Sequence, residues 1–370
     1  MEQDNRCTIP FEGSLLLRLH LGTVSPCCKM RDRPFVDTLL VDIVPEVRKA
    51  VLNNQRHPEC NQCWKQEDIG QLSYRQLASE HIAKPEKWKN KWQTLDLYQP
   101  VHNITLIFSN KCQLMCAYCA PSVSSMWEDS GNRFVKFKGE FNRLEVKAYD
   151  LSKLSEFISA SKLETLIISG GEPMMDEQCI RFLQELEPSL KRRILIITNL
   201  SYGQATMNSL MSILERHINT TVAVSLDTLG DNISRKYLNW DLWKGNFEVL
   251  VQNLIERKKV SNVRMRVLIT VSILNYMNIQ PIIEYIISFR KQGITYIEFN
   301  ISPLADDSLC SLSSGEKDAS RCVKLSDVDA SYLTRREILM IDNLNNIIIT
   351  NRQNTELESL TKEFLLEYMK

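Results

Sequence analysis

The 370-residue chain has no run of 18 consecutive apolar residues, which argues against a membrane-spanning helix. Its start, MEQDNR, has neither a basic n-region nor an apolar h-region, so no secretory leader is expected. It lacks an excess of either charge: 45 basic residues stand against 45 acidic ones, so there is no global nucleic-acid footprint. It has no P-loop and no strand-to-helix G-x-G-x-x-G, the usual cradles for nucleotide phosphates. Histidine is scarce, and His20, His57, His81, His102 and His217 show no metal-pair spacing. Cysteine is the residue the chain does not lack. There are eleven, and without a leader they point to reduced, metal-binding thiols and a cytoplasmic location rather than to disulfides.

The most informative stretch is Asn110 to Pro121, NKCQLMCAYCAP. Cys112, Cys116 and Cys119 stand in a C-x3-C-x2-C spacing. The apolar run Ile104–Phe108 before them reads as a buried strand. A loop leaving a strand can turn three thiolates toward one point, and three thiolates can hold three corners of a [4Fe–4S] cluster. No fourth cysteine lies nearby at a ligand spacing, so one iron would stay open to another ligand. A zinc site short of a ligand, or three buried thiols, are the competing readings.

Six apolar segments alternate with amphipathic stretches: Ile104–Phe108, Thr165–Ile168, Arg193–Thr198, Thr221–Asp227, Arg264–Thr270 and Tyr296–Asn300. Such alternation implies βαβ units and a parallel sheet, whose ligands gather at the carboxyl ends of the strands. Polar residues do fall there. The second segment runs into Ser169-Gly170-Gly171-Glu172-Pro173, the third ends in Thr198-Asn199, and the fourth carries Ser225 and Asp227. Asn275 follows the fifth. Two glycines allow close backbone approach to a ligand, and Glu172 adds a charge that can hold an ammonium group; an ordinary capped turn is the bland alternative.

The cysteine spacing, the open iron and the aromatic Tyr118 before the third cysteine resemble the radical S-adenosylmethionine (SAM) superfamily. The resemblance covers roughly residues 5–80 and 103–302. It implies an α/β fold built on a partial (β/α)6 TIM-like barrel. It also implies a SAM-binding [4Fe–4S] cluster on Cys112, Cys116 and Cys119, and reductive cleavage of SAM to a 5′-deoxyadenosyl radical. In that family a GGEP motif holds the amino group of SAM. Tyr118, Gly170, Gly171, Glu172, Thr198, Asn199, Ser225, Asp227 and Asn275 are therefore expected around SAM. The chain departs from its relatives at Leu200, where glycine is usual after Thr-Asn, and at Leu238-Asn239, where many carry an arginine that contacts SAM. Arg235 or Lys236 could substitute for that arginine.

Five more cysteines lie in the first 63 residues. Ser14–His20, Gly22 and Thr23–Ser25 read as strand, turn and strand, which would return Cys27 and Cys28 toward Cys7. Pro45 suits the first turn of a short helix lined by Val44, Val47 and Val51. Cys7, one of Cys27 and Cys28, Cys60 and Cys63 make four ligands for a second centre, either [4Fe–4S] or structural zinc. The pattern from Pro58 through Glu67, Gly70 and Ser73 to Arg75 resembles the cysteine-rich unit of twitch-domain radical SAM proteins, relatives of the SPASM-domain enzymes. That resemblance favours an auxiliary [4Fe–4S] cluster, with Cys27 as the ligand after Pro26.

The expected organisation is a cysteine-rich α+β auxiliary domain and linker at 1–95, the core barrel at 96–305, and a polar linker with a helical tail at 306–370. The lysines and tryptophans of Ile82–Gln93 suit either an acidic partner or RNA, or a solvated linker. Cys179 reads as core, while Cys310 and Cys322 carry no ligand spacing. A helix is expected near Thr334–Leu344, and a last one from the capping box Thr355–Glu358, with Leu357, Leu360, Phe364, Leu365 and Tyr368 on one face. The family implies a flavodoxin, ferredoxin or reductase as electron donor and a peptide or small-molecule substrate, while the missing apolar run and the balanced charge argue against membrane and nucleic-acid partners. Two other classes stay open: an electron-transfer or binding iron–sulfur protein without turnover, and a zinc-stabilised nucleic-acid-binding protein.

Overall fold

The computed structural model describes the chain except residues 1–3, 12–13, 28–29, 31–32, 35–42, 69–72, 74, 77–85, 87–89, 98–100, 131–150, 161–162, 231–232, 258–261, 305–309, 313–316, 318–321, 325, 351–354 and 369–370. Cys28, Gly70 and much of the lysine–tryptophan stretch thus lie outside the described residues. The described strands are β1 (Ser14–Arg18), β2 (Thr23–Ser25), β3 (Arg33–Pro34), β4 (Asn103–Ile107), β5 (Met115–Cys116), β6 (Thr165–Ser169), β7 (Arg193–Thr198), β8 (Thr220–Ser225), β9 (Arg235–Lys236), β10 (Arg264–Val271) and β11 (Ile297–Pro303). The chain forms two compact units, one of residues 1–109, 142–168 and 191–193, the other of 110–141, 169–190 and 194–370.

In the first unit β1 and β2 are antiparallel and joined by the 3-10 turn Leu19–Leu21. Gly22 closes that turn at φ 60, a left-handed conformation that a Cβ would oppose. β2 also pairs with β3. On its other edge β1 runs parallel to β4, from Leu15 opposite Ile104 to Arg18 opposite Ile107. The early hairpin therefore continues the strand that leads into the cysteine loop. Helix Ile43–Leu52 buries Val44, Val47 and Val51, the face the sequence marks as apolar. Buried Arg48 donates from Nε to the Pro10 carbonyl at 2.8 Å and from Nη1 to the Leu97 carbonyl at 2.7 Å, tying the ends of this segment together.

In the second unit β7, β8, β10 and β11 lie side by side, all parallel. Thr198 pairs with Val224, Ser225 with Leu268, and Val271 with Pro303, so the carboxyl ends lie along one rim. Helices Gln204–Arg216, Trp240–Arg257 and Ile279–Lys291 connect these strands and bury the apolar stripes read from sequence, among them Met207, Leu210, Phe247, Leu250, Ile282 and Ile286. Helix Glu177–Glu185 precedes β7 and buries Cys179, capped by the Asp176 carboxylate on the Gln178 and Cys179 amides. Helix Arg335–Thr350 extends past the expected Leu344 and covers β11. There Glu337 and Arg290 form a buried pair, and Glu337 Oε1 accepts the Phe299 amide at 3.2 Å.

The chain is thus an α/β protein with a mostly parallel set of strands, consistent with a partial TIM-like core, and each of the six expected core strands is present. Among the described residues no helix is long and apolar enough to cross a membrane. The last helix, Thr355–Tyr368, buries Phe364 and Tyr368 against Met115 and Trp127, so it covers the cysteine loop.

Candidate active site and metal centres

The cysteine loop follows β4 and is stiffened from several sides. Asn110 Nδ2 donates to the Pro121 carbonyl at 2.9 Å and to Glu128 Oε2 at 2.7 Å. The Cys112 amide donates to Ser125 Oγ at 3.2 Å, and Ser124 Oγ donates to the Leu114 carbonyl at 3.0 Å. Trp127, wholly buried, donates from Nε1 to the Cys116 carbonyl at 2.7 Å. β5, inside the loop, pairs antiparallel with β9, setting Met115 opposite Lys236 and Cys116 opposite Arg235.

The three thiols form no disulfide and lie close enough to act on one another. Burial pushes the Cys112 thiol up to about 12, and the Cys116 thiol and Glu172 add to the rise. The Cys119 thiol is raised by a hydrogen bond with Cys116 and by burial. Bare thiolates are thus disfavoured here, and a cationic metal group would remove that penalty. Donors already face two of the sulfurs. The Leu114 amide lies 3.4 Å from Cys112 Sγ, Asn199 Nδ2 3.8 Å from the same sulfur, and Arg235 Nη1 3.8 Å from Cys116 Sγ. This donor set fits a thiolate-bound cluster.

The turn after β6 packs backbone to backbone on the loop. Gly170 takes φ 133. A Cβ on Gly171 would stand 2.2 Å from the Lys111 carbonyl oxygen, so only glycine fits. The Glu172 amide donates to that same oxygen at 2.7 Å. Glu172 itself is 1% exposed and accepts from Thr198 Oγ1 at 2.8 Å, the Asn199 amide at 2.6 Å and the Met174 amide at 3.1 Å. Burial raises its carboxyl to about 7 against these three donors.

Asn199 and Gln113 exchange side-chain hydrogen bonds at 3.0 and 3.2 Å, and Gln113 Nε2 also donates to the Ser201 carbonyl at 2.6 Å. Leu200, the departure from the family's glycine, stands at φ 58 and is wholly buried. Its carbonyl accepts Asn246 Nδ2 at 3.0 Å.

Ser225 is buried at the end of β8. Asp227 lies two residues on and is fully buried; it accepts from Tyr118 Oη at 2.6 Å, Ser234 Oγ at 3.1 Å and the Thr270 amide at 3.2 Å, and forms an ion pair with Arg235, whose Nε lies 3.1 Å away. Burial opposes the Arg235 cation, but Asp227, Tyr118 and the thiols outweigh it and hold its pKa well above the ordinary value. Burial likewise raises the Tyr118 phenol. Asn275 Nδ2 donates to the Asp227 carbonyl at 3.0 Å and the Thr270 carbonyl at 2.8 Å, which fixes the exit of β10. Of the two suggested substitutes for the family's arginine, Arg235 thus lies against Asp227 and Cys116, and Lys236 bonds the Tyr368 carbonyl. Gln113, Ser125, Trp127 and Asn246 join the site without any local sequence signal; only a long-range contact could mark them.

The first unit has its own cysteine site. A pocket is lined by Cys7, Cys27, Cys60 and Cys63, with Ile9, Met30, Val51, Trp64 and Arg75 among its walls. Burial pushes the Cys60 thiol up to about 12, and Cys7 and Cys63 add to it. Arg75 pairs with Glu67, donates to the Arg6 carbonyl at 2.7 Å and the Asp4 carbonyl at 3.1 Å, and lies 4.8 Å from the Trp64 ring centre. Ser73 Oγ donates to the same Glu67. Among the described residues no three His, Cys, Asp or Glu side chains converge as one metal ion would require. Ligands of a cluster sit on separate irons and stand farther apart than those of a single tetrahedral ion.

Among solved structures, Streptococcus suis SuiB is similar at TM-score 0.42 and 18% identity, over 80% of this chain and 60% of that one. Native anSMEcpe with bound AdoMet is similar at TM-score 0.36 and 16% identity, over 68% and 63%. The chain spans less than two thirds of the length of either. No curated protein matches the sequence. The model of the Radical SAM superfamily matches residues 106–300, more than half of the chain and the whole span from the cysteine loop to β10, and the chain belongs to that superfamily.

Proposed function

We propose that this chain is an enzyme that holds a [4Fe–4S] cluster on Cys112, Cys116 and Cys119 and binds SAM at the adjoining strand ends, to modify a peptide or small-molecule substrate. The observation that carries this reading is one loop bearing Cys112, buried Cys116 and Cys119, with donors from Leu114 and Asn199 facing the first sulfur and Arg235 facing the second, beside the buried carboxylate of Glu172. When bound, the cluster and SAM supply a 5′-deoxyadenosyl radical by reductive cleavage. The chain's own residues position and shield. Gly170 and Gly171 let the backbone approach SAM, and Glu172 offers its charge to the ammonium group, oriented by Thr198 and Asn199. Tyr118 and Ser225 stand at the same ends. Asp227 and Asn275 support SAM by fixing β8, β10 and the Tyr118 ring. Burial of these groups excludes water from the reacting centre.

The N-terminal pocket supports a twitch-like auxiliary [4Fe–4S] site on Cys7, Cys27, Cys60 and Cys63, within a domain of residues 1–95 ahead of the core at 96–305 and the tail at 306–370. A flavodoxin, ferredoxin or reductase would deliver the electron in the cytoplasm, with no membrane or nucleic-acid partner. The test replaces Cys112, Cys116 and Cys119 together by Ala. Formation of 5′-deoxyadenosine from SAM by the reduced protein should vanish, and iron should fall by one cluster. Undiminished formation would remove these residues from the chemistry.

A further inference from the structure

The last turn of helix Thr355–Tyr368 reaches back over 253 residues to the cysteine loop. Tyr368 Oη donates to the Met115 carbonyl at 2.6 Å and accepts the Lys236 amide at 3.1 Å. Met115 and Lys236 are the facing pair of the β5–β9 ladder. The phenol hydroxyl therefore stands between two strands and relays a ladder bond from one backbone to the other. The Lys236 ammonium bonds the Tyr368 backbone carbonyl, so the same lysine holds the tyrosine at a second point. The ring stacks on Trp127 at 5.9 Å and 13° and on Phe364 at 5.2 Å and 25°. Trp127 in turn holds the Cys116 carbonyl.

A two-residue ladder is too short to hold a loop by itself. We propose that Tyr368, anchored by Lys236 and stacked on Trp127, is a positioning residue that clamps the Met115–Cys116 backbone so that the middle cysteine is held ready for the cluster. This rests on the reading that the triplet holds the cluster. It goes beyond that reading by making the C-terminal helix part of the cluster site. It also gives Lys236 a role other than meeting the SAM carboxylate.

The test compares Tyr368→Phe, which keeps the ring stack and removes the hydroxyl, with the unaltered full chain. In the metal-free protein, amide hydrogen exchange over residues 115–119 should quicken by roughly tenfold, as expected for one or two hydrogen bonds lost from a buried backbone. Amides of β10 and β11 should keep their rates. In the reconstituted protein a chelator should strip the SAM-responsive cluster several-fold faster, and its electron paramagnetic resonance signal should broaden. Lys236→Met should loosen the same amides by a smaller factor with SAM affinity unchanged. Unchanged exchange at 115–119 in Tyr368→Phe, or an equal rise in β10 and β11, would overturn the clamp. So would a loss of SAM affinity in Lys236→Met with a quiet loop. The triple cysteine variant separates the two readings, because the effect of Tyr368→Phe on exchange should persist there even if those cysteines hold no cluster.

Discussion

Glu172 shows how one residue can sit between two protonation states. Burial favours its neutral form, while the Asn199 amide, the Thr198 hydroxyl and the Met174 amide favour the charged one, and the balance lies at about 7. The native carboxyl therefore binds its proton more tightly than the unfolded one. Its contribution to stability is present below the ordinary value of 4.5 and is lost as pH rises through about 7. Ligand binding has the opposite sign. In the proposed role a SAM ammonium would pair with the carboxylate, so below about 7 a proton would have to leave as SAM enters. SAM affinity should fall with falling pH, by up to roughly tenfold per unit. Glu172→Gln should weaken SAM binding roughly ten- to a hundredfold, the worth of one charged hydrogen bond, and flatten the profile. Calorimetric titration at about pH 6 and about pH 8 reads both effects, since these lie on either side of the shifted value. A flat profile in the unaltered protein would show that the carboxylate only caps the turn at Pro173 and braces β7.

At the scale of elements, the site is made where the turn after β6 touches the cysteine loop. The Gly171 contact is with backbone, which no side-chain rotation can relieve. Gly171→Ala should cost about 1–3 kcal/mol through overpacking and displace Lys111, next to the first cysteine. Iron content and SAM affinity should both drop, whereas Gly203→Ala, where a Cβ would meet nothing within 4 Å, should leave both unchanged. Equal behaviour of the two variants would show that the loop can move aside. Much at this scale was legible. Apolar runs of strand length alternating with helical stripes marked β4, β6, β7, β8, β10 and β11, and polar residues marked their ends. Even the odd Leu200 carried information, because a leucine where relatives keep glycine stands at φ 58. It is tolerated there because its side chain is wholly buried and Asn246 holds its carbonyl. Full burial of a leucine contributes about 1.5–3 kcal/mol, enough to offset the ~1–2 kcal/mol of left-handed backbone. What stayed hidden was tertiary. Gln113 meets Asn199 across 86 residues, and Tyr368 meets Met115 across 253, and no local periodicity encodes a partner so distant.

At the scale of the whole molecule, the two units each carry a cysteine site, and each should respond to metal in its own way. In the first unit, protein contacts already join the ligand segments. Arg75 holds the carbonyls just before Cys7 and pairs with Glu67 on helix Asn61–Asp68, which carries Cys63. The hairpin of β1 and β2 returns Cys27 to the same pocket. A metal group bound there would crosslink residues 7, 27, 60 and 63, so its binding energy would add to folding energy. The variant lacking Cys112, Cys116 and Cys119 should therefore still bind iron and sulfide for one cluster. Adding Cys60→Ala and Cys63→Ala should remove that cluster and quicken proteolysis within residues 1–80. Cleavage in the second unit should not change, because the Arg290–Glu337 pair and the helices on β7 to β11 owe nothing to the N-terminal thiols. Cys27→Ala should lose the auxiliary cluster, since Cys27 lines the pocket. Retention of that cluster in Cys27→Ala and its loss in Cys28→Ala would transfer the ligand to the neighbour. Stoichiometric zinc without sulfide in the triple variant would replace the auxiliary cluster with a structural ion, and would require the four thiols to close to a tighter spacing than they have here.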